Sequence, residues 1–231
     1  MIKKIFEKHE TLACIALIIL YILVNSYCIQ NFGITDYRSA LINTCFSAVL
    51  VVLMIHLKRI TYYGLTKVTD LKSYLYFIPL IVIITVNLWG GIRINNTASE
   101  IVFHMITMIN VGFIEEIIFR GFLFKMMAKD NVKSAIIVSS ITFGIGHIVN
   151  LLNGAEFLPT LLQVCYAISI GYLFVIIFDR SKSLIPCIIT HALFNLLSIF
   201  NAESESVRYI VPIFLMVAPL AYAIYINKKA T

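Results

Sequence analysis

Eight apolar runs divide the chain, near 12–29, 40–57, 74–90, 101–124, 134–152, 159–178, 184–200 and 209–226. A hydrocarbon core of roughly 30 Å takes about twenty residues of helix, at about 1.5 Å per residue. The runs are of that length, and they predict an all-α, polytopic membrane bundle of about eight transmembrane helices. The third run is the weakest, because Pro79 interrupts it and Gly90 and Gly91 close it. Composition points the same way. With 60% hydrophobic residues, 13% charged residues and a mean hydropathy of +0.93, a water-soluble fold would have too little polar surface for its outside.

The Lys and Arg residues test the number of runs independently, since cytoplasmic loops carry the basic excess. If the N-terminus is cytoplasmic, fourteen of the eighteen fall on cytoplasmic segments: 3–8, 58–72, 125–133, 180–182 and 228–229. Three fall on the other side, Arg38, Arg93 and Arg208, and Arg120 lies within a run. Both termini are therefore expected in the cytoplasm. The net charge of +6 follows from topology and anionic lipid, and nothing in it calls for nucleic acid. The size and composition suit a prokaryotic plasma membrane.

The first run follows a Lys-rich start as a signal peptide's core would, but no small-residue cleavage site follows it, so it reads as an uncleaved anchor. Cys14, Cys28, Cys45, Cys165 and Cys187 show no CxxC pair, and an odd number at such spacing argues against a disulfide frame or a structural zinc site. There is no Pro/Ser-rich linker, charge block or internal repeat. One integral-membrane domain, 1–231, is the simplest organisation.

Chemistry enters where ionisable residues interrupt the apolar runs. Such groups cost several kcal/mol each by most estimates, and those that persist mark proton, ion or catalytic sites. Glu115 and Glu116 lie together in the fourth run with Arg120 one turn on. Residues four apart share a helix face, so Glu116 and Arg120 can pair, while Glu115 is rotated by about 100° and points elsewhere. One carboxylate is then neutralised and the other left for general acid–base work. A bland alternative is that all three only form a buried packing network.

The fifth run carries Phe143 and His147 on one face, with Gly144 and Gly146 small enough for close helix approach. The seventh carries His191 and Asn195 on one face, just after Pro186 at the start of its helix. An imidazole and an amide aimed at one point can hold a metal, position a water or donate to a developing oxyanion. Counted from the cytoplasmic lysines, Glu115 lies about 15 Å deep, His147 about 20 Å and His191 about 14 Å. The three can meet in the cytoplasmic half of the bilayer.

Glu115-Glu116-x-x-x-Arg120, Phe143-x-x-x-His147 and His191-x-x-x-Asn195, in this order and on separate runs, resemble the CAAX protease and bacteriocin-processing family, also called Abi. Each motif alone is weak, but the ordered set is specific. The family's core would cover about 70–200. The resemblance implies an intramembrane endopeptidase with a conical cavity open to the cytoplasm. In it Glu115 and His147 activate the attacking water, His191 and Asn195 stabilise the oxyanion, and Glu116, Arg120 and Phe143 support the site.

A metal is not decided by these residues. Glu115, His147 and His191 are a conceivable zinc set with a fourth place for water, yet the spacing is not HExxH, and direct polarisation of water by glutamate and histidine fits the same groups. Two other classes use similar residues: a small proton-coupled transporter, and a non-proteolytic adaptor or immunity protein. The expected partners are the bilayer and a peptide or membrane-anchored protein substrate, with no nucleic acid. Peptide pheromone, bacteriocin or signalling-protein processing suits the chain better than prenylated CAAX proteins.

Overall fold

The computed structural model describes residues 2–68, 77–202 and 204–229, and in them the chain is helical, apart from an isolated bridge between Ile92 and Asn201. Nine helices follow in chain order among the described residues: α1 Ile2–Lys8, α2 Glu10–Asn31, α3 Tyr37–Leu57, α4 Ile78–Leu88, α5 Ala98–Met127, α6 Val132–Leu151, α7 Phe157–Ser181, α8 Ile185–Phe200 and α9 Ile210–Lys229. Six of them, α2, α3, α5, α6, α7 and α9, are long and apolar enough to cross a membrane. The third and seventh runs form shorter apolar helices instead. Helix α4 has eight α-helical residues and a three-residue 3-10 turn, and α8 has thirteen and three. The expected third run begins at 74, and its first residues, like part of the loop before it, lie outside the described residues.

Local sequence sets the helix ends. Thr97 and Glu100 form a reciprocal capping box at the start of α5, Asn131 caps α6 by accepting from the Ser134 amide at 3.0 Å, and Asp36 caps α3. Pro79 and Pro186 occupy the first turns of α4 and α8, where a missing N–H costs nothing. Lys58 and Lys182 end α3 and α7 in the left-handed conformation, both at φ 57°.

Long helices joined by short loops alternate in direction, so the bundle has two distinct ends. At one lie Lys58, Lys125, Lys129, Lys133 and Lys182, here called the basic end. At the other lie the segments 91–97, 152–156 and 204–209, where Arg93 N–H donates to Phe200 O at 2.9 Å and Gln30 donates to Asn153 at 2.9 Å. Helix α7 packs between α6 and α9, and α5 packs against α3 and α8. Leu12, Ile19 and Leu23 on α2, Val49 and Val52 on α3, and Ile213 and Val217 on α9 point outward, as lipid-facing residues should.

Small residues set the crossings that bear on the site. A side chain at Gly112 would meet the backbone of Ala192 at 2.8 Å, which brings α5 against α8. A side chain at Gly144 would meet the Ile168 amide at 2.9 Å, which brings α6 against α7. Gly146, expected to share that role, has only ordinary contact distance to Phe119, 3.9 Å. The close approach is therefore Gly144's alone.

Within α5, residues Ile117–Phe124 wind as a π-helix. Such a segment breaks the regular i→i+4 pattern and occurs mostly at functional sites. The Ser139 hydroxyl of α6 donates to the Phe119 carbonyl at 2.8 Å within it. Every residue from Ile117 to Phe124 is buried, including Arg120.

Candidate active site

Glu115 and Glu116 stand at the junction of the α and π portions of α5, and their environments differ as helical rotation predicts. Glu116 is fully buried and accepts from Arg120 Nη1 at 3.0 Å, with both side chains 0% exposed, whereas Glu115 retains 12% exposure. The buried pair is held by more than charge. Arg120 Cζ lies 4.0 Å from the centre of the Phe143 ring, and a side chain at Gly171 would come within 3.1 Å of Arg120 Nη2. A side chain at 171 would crowd the guanidinium where it lies between α5, α6 and α7.

His191 of α8 lies between the two glutamates. Its Nδ1 is 2.9 Å from Glu116 Oε1 and its Nε2 is 3.5 Å from Glu115 Oε2. A carboxylate accepts only, so Nδ1 carries the proton toward Glu116, and Nε2 is the atom turned toward Glu115. Glu116, itself fixed by Arg120, thereby orients the imidazole as the third member of a catalytic triad orients its base. The Phe143 ring meets His191 edge-on at 5.7 Å and His147 at 5.1 Å, so this one aromatic contacts Arg120 and both histidines.

His147 begins the 3-10 turn that ends α6. Its Nδ1 donates to the Phe143 carbonyl at 3.0 Å, which leaves Nε2 as the atom with a lone pair. Asn195 lies one turn beyond His191. Its carbonyl accepts from Ser198 at 2.7 Å and from His104 Nε2 at 3.3 Å, and the neighbouring Phe194 carbonyl accepts from Asn87 at 2.7 Å. The turn carrying the amide is thus pinned from α4 and α5. His147, His191, Phe143 and Asn195 all line one small cavity of about 40 Å³, closed further by Gln163 and Phe174.

Two contributions were not foreseen from sequence. Tyr21, in the middle of α2, donates its hydroxyl to Glu115 Oε1 at 2.6 Å while 96% of its surface is covered. His104, on α5, supports Asn195 as described. A lone tyrosine and a lone histidine on apolar helices have no spacing pattern to mark them. Their significance is visible only once α2 lies against α5 and α5 against α8.

The small cavity lies on a side of the site that the motifs do not predict. Tyr166 and Phe194 line it and also line a larger cavity of about 700 Å³, bounded by Glu156, Asn201 and Arg208. That space is at the end of the bundle opposite the basic loops. Toward the basic end stand Tyr63, Phe122, Phe124, Phe174 and Phe178, each at most 2% exposed. Tyr63 packs on Phe122 with ring centres 4.3 Å apart, and the Leu184 amide donates to Gly64 O at 2.8 Å. The larger cavity therefore lies at the end of the bundle away from the Lys-rich loops. The short helices α4 and α8 end early at that side, while the loop 58–66 packs at the basic end.

As ligands for one metal ion the three candidates fit poorly. Among the described residues no three His, Cys, Asp or Glu side chains are gathered as a metal site. Glu115 Oε1 is taken by Tyr21 and the Nδ1 atoms of His147 and His191 by Phe143 O and Glu116, so the donor atoms left are Glu115 Oε2 and the two Nε2 atoms. The five cysteines are free thiols, none of them beside these groups in a metal cluster.

Comparison with curated proteins and with solved structures found no match. A family model does match, over residues 97–197, and that span contains Glu115, Glu116, Arg120, Phe143, His147, His191 and Asn195 while leaving Tyr21 outside it. Residues 97–197 of this chain are thus similar to the Rce1-like family of type II CAAX prenyl endopeptidases, a protease family.

Proposed function

We propose that this chain is an intramembrane endopeptidase that hydrolyses peptide bonds in peptides or membrane-attached proteins, with Glu115 as the general base. The observation that carries this reading is the division of labour between adjacent glutamates. Glu116 is sealed against Arg120 and orients His191, while Glu115 keeps one oxygen, Oε2, unshared with Tyr21 and turned toward His191. A structural network would have no use for a second, partly accessible carboxylate.

In the reaction a water beside Glu115 and His147 gives a proton to Glu115 as its oxygen attacks the scissile carbonyl carbon. Negative charge develops on the carbonyl oxygen. His191, protonated on both ring nitrogens so that Nδ1–H stays on Glu116 and Nε2–H donates, and Asn195, through its side-chain amide, stabilise it. The tetrahedral species collapses by breaking the C–N bond, and the proton held on Glu115 passes to the leaving amine. Because Arg120, Glu116 and Phe143 fix His191 before substrate arrives, little reorganisation is needed at the moment of reaction.

Peptide mapping of N-termini in membranes carrying wild-type or Glu115→Gln chains, at equal abundance, tests this. Termini present only with wild type are the expected result and identify substrates. Identical maps from folded, abundant proteins would refute proteolysis and leave flux or partner binding as the function to assay.

A further inference from the structure

We propose that α2 is the element that holds the general base in place, and that Glu10, at its basic end, sets the register in which Tyr21 meets Glu115. The inference rests on the protease reading for what Glu115 does, and it makes Tyr21 and Glu10 positioning residues of that site. Both lie outside the span 97–197 that matches the family. The side of α2 packed inside the protein is narrow. Its buried residues, Cys14, Tyr21 and Cys28, are seven apart and form one seam, whereas Leu12, Ile15, Ile19, Leu20 and Leu23 are exposed. In hydrocarbon an apolar seam discriminates poorly between registers, because lipid tails solvate leucine and isoleucine as well as a neighbouring helix does. Polar contacts then do the discriminating, as one polar group in an apolar interface fixes the register of a coiled coil.

Helix α2 makes such contacts at intervals along its length. In its middle the Tyr21 hydroxyl donates to Glu115 Oε1 at 2.6 Å. Near its far end Gln30 donates to Asn153, an exposed bond. At its start, about 16 Å from Tyr21 along the helix, the Glu10 carboxylate pairs with Lys129, in the turn after α5, and with Arg59, 3.5 Å away in the loop after α3. Glu10 is 14% exposed, so these pairs are better shielded than surface bridges of little worth. Arg59 is held in turn by Glu7 at 2.8 Å, and Phe6 of α1 packs on Phe122 of the π segment with ring centres 5.8 Å apart. The cluster thus ties the start of α2 to the ends of α3 and α5. A hydrogen bond of 2.6 Å is lost within about 1 Å of displacement, far less than the 5.4 Å of one helical turn. Fixing the level of α2 therefore keeps Tyr21 on Oε1 and leaves Oε2 turned toward His191.

The test compares Glu10→Ala, Tyr21→Phe and the double variant, each as the full chain in membranes. Activity is the rate of forming one Glu115-dependent N-terminus. Glu10→Ala should lower kcat by about three- to tenfold with KM unchanged. Once Tyr21 is phenylalanine the same substitution should change kcat by less than about twofold, because residues that act through one another are not additive. Equal fold losses in both backgrounds would overturn the coupling. Register is read without proteolysis from Cys28, which is 1% exposed. It lies about 27 Å from Glu10 along α2, too far to be uncovered by loss of the Glu10 side chain itself. Its modification by a membrane-permeant maleimide, followed by mass spectrometry well below the Tm of either chain, should be at least about threefold faster in Glu10→Ala than in wild type. Unchanged labelling would overturn the part given to Glu10, whatever the activity. If Glu10→Ala does not accumulate, Lys129→Ala, which keeps the Glu10 side chain, is read in the same two ways. The labelling arm needs no cleavage, so a wrong register is distinguished from a wrong activity, which the Glu115→Gln map reports by itself.

Discussion

Replacing Arg120 by methionine removes the cation from a carboxylate that has no water to turn to. Glu116 and Arg120 are both 0% exposed and 3.0 Å apart, and methionine keeps much of the packing length against Phe143 and Phe174. The deleted partner leaves Glu116 buried, with His191 as its remaining contact. Breaking one side of a buried pair costs roughly 3–5 kcal/mol, because the surviving charge is stranded. For a chain of this size that is a fall in Tm on the order of 10 °C. Adding Glu116→Gln should recover a large part of the loss, since a neutral amide costs far less to bury than a lone carboxylate. The native thiols provide the assay. Cys14, Cys28 and Cys187 are buried, so a dye that fluoresces on reacting with thiols reports unfolding in detergent without added labels. Cleavage should remain low in the double variant, because His191 has lost its charged orienting partner. If Arg120→Met shifts Tm by no more than surface substitutions do, or if the double variant is no more stable than the single one, the ion pair is not what holds this part of the site.

Tyr21→Phe keeps the edge contact with Phe46, at 5.9 Å between ring centres, but removes the 2.6 Å hydrogen bond to Glu115. A bond to a charged group contributes roughly 1.5–3 kcal/mol to the folded state, so Tm should fall by several degrees, and kcat should fall about tenfold or more because Glu115 loses the group that holds it; unchanged kcat beside the lowered Tm would show the role to be structural. Gly171→Ala puts a methyl group 3.1 Å from both Arg120 Nη2 and Phe143 Cδ1, and should cost about 1–3 kcal/mol by thiol-dye unfolding together with most of the activity; a fully active variant would show that Arg120 can yield. Ser139→Ala strips the hydroxyl donor from the Phe119 carbonyl in the π segment, with an expected loss of about 1–2 kcal/mol in the same assay. Asp36 is held from 3.8 down to about 2 by hydrogen bonds from the Arg38 side chain and amide. Its capping of α3 is therefore full above its unfolded value and lost as pH falls through the folded one. Wild type should exceed Asp36→Ala in Tm at neutral pH, and the two should converge near pH 2; a gap that persists there would point away from the carboxylate.

Much of the fold is legible in the order of residues because the bilayer imposes a simple requirement. A stretch that avoids water must be apolar over a membrane's thickness, and α2, α3, α5, α6, α7 and α9 satisfy it by length alone. The third and seventh runs show where this criterion stops. Apolar composition fixes that α4 and α8 are buried or lipid-facing, but their length depends on what their ends meet: the α8 turn at Asn195 is held by His104 and Ser198, and Asn87 in the last turn of α4 is tied to Phe194.

The site divides in the same way. Helical spacing by itself paired Glu116 with Arg120, freed Glu115, and placed His191 with Asn195, since each relation lies within one turn of one helix. Which helices face one another is not a local property. Tyr21 reaches Glu115 across ninety-four residues, and His191 reaches Glu116 across seventy-five. These contacts exist because α2 and α8 both pack on α5, through crossings such as Gly112 against Ala192.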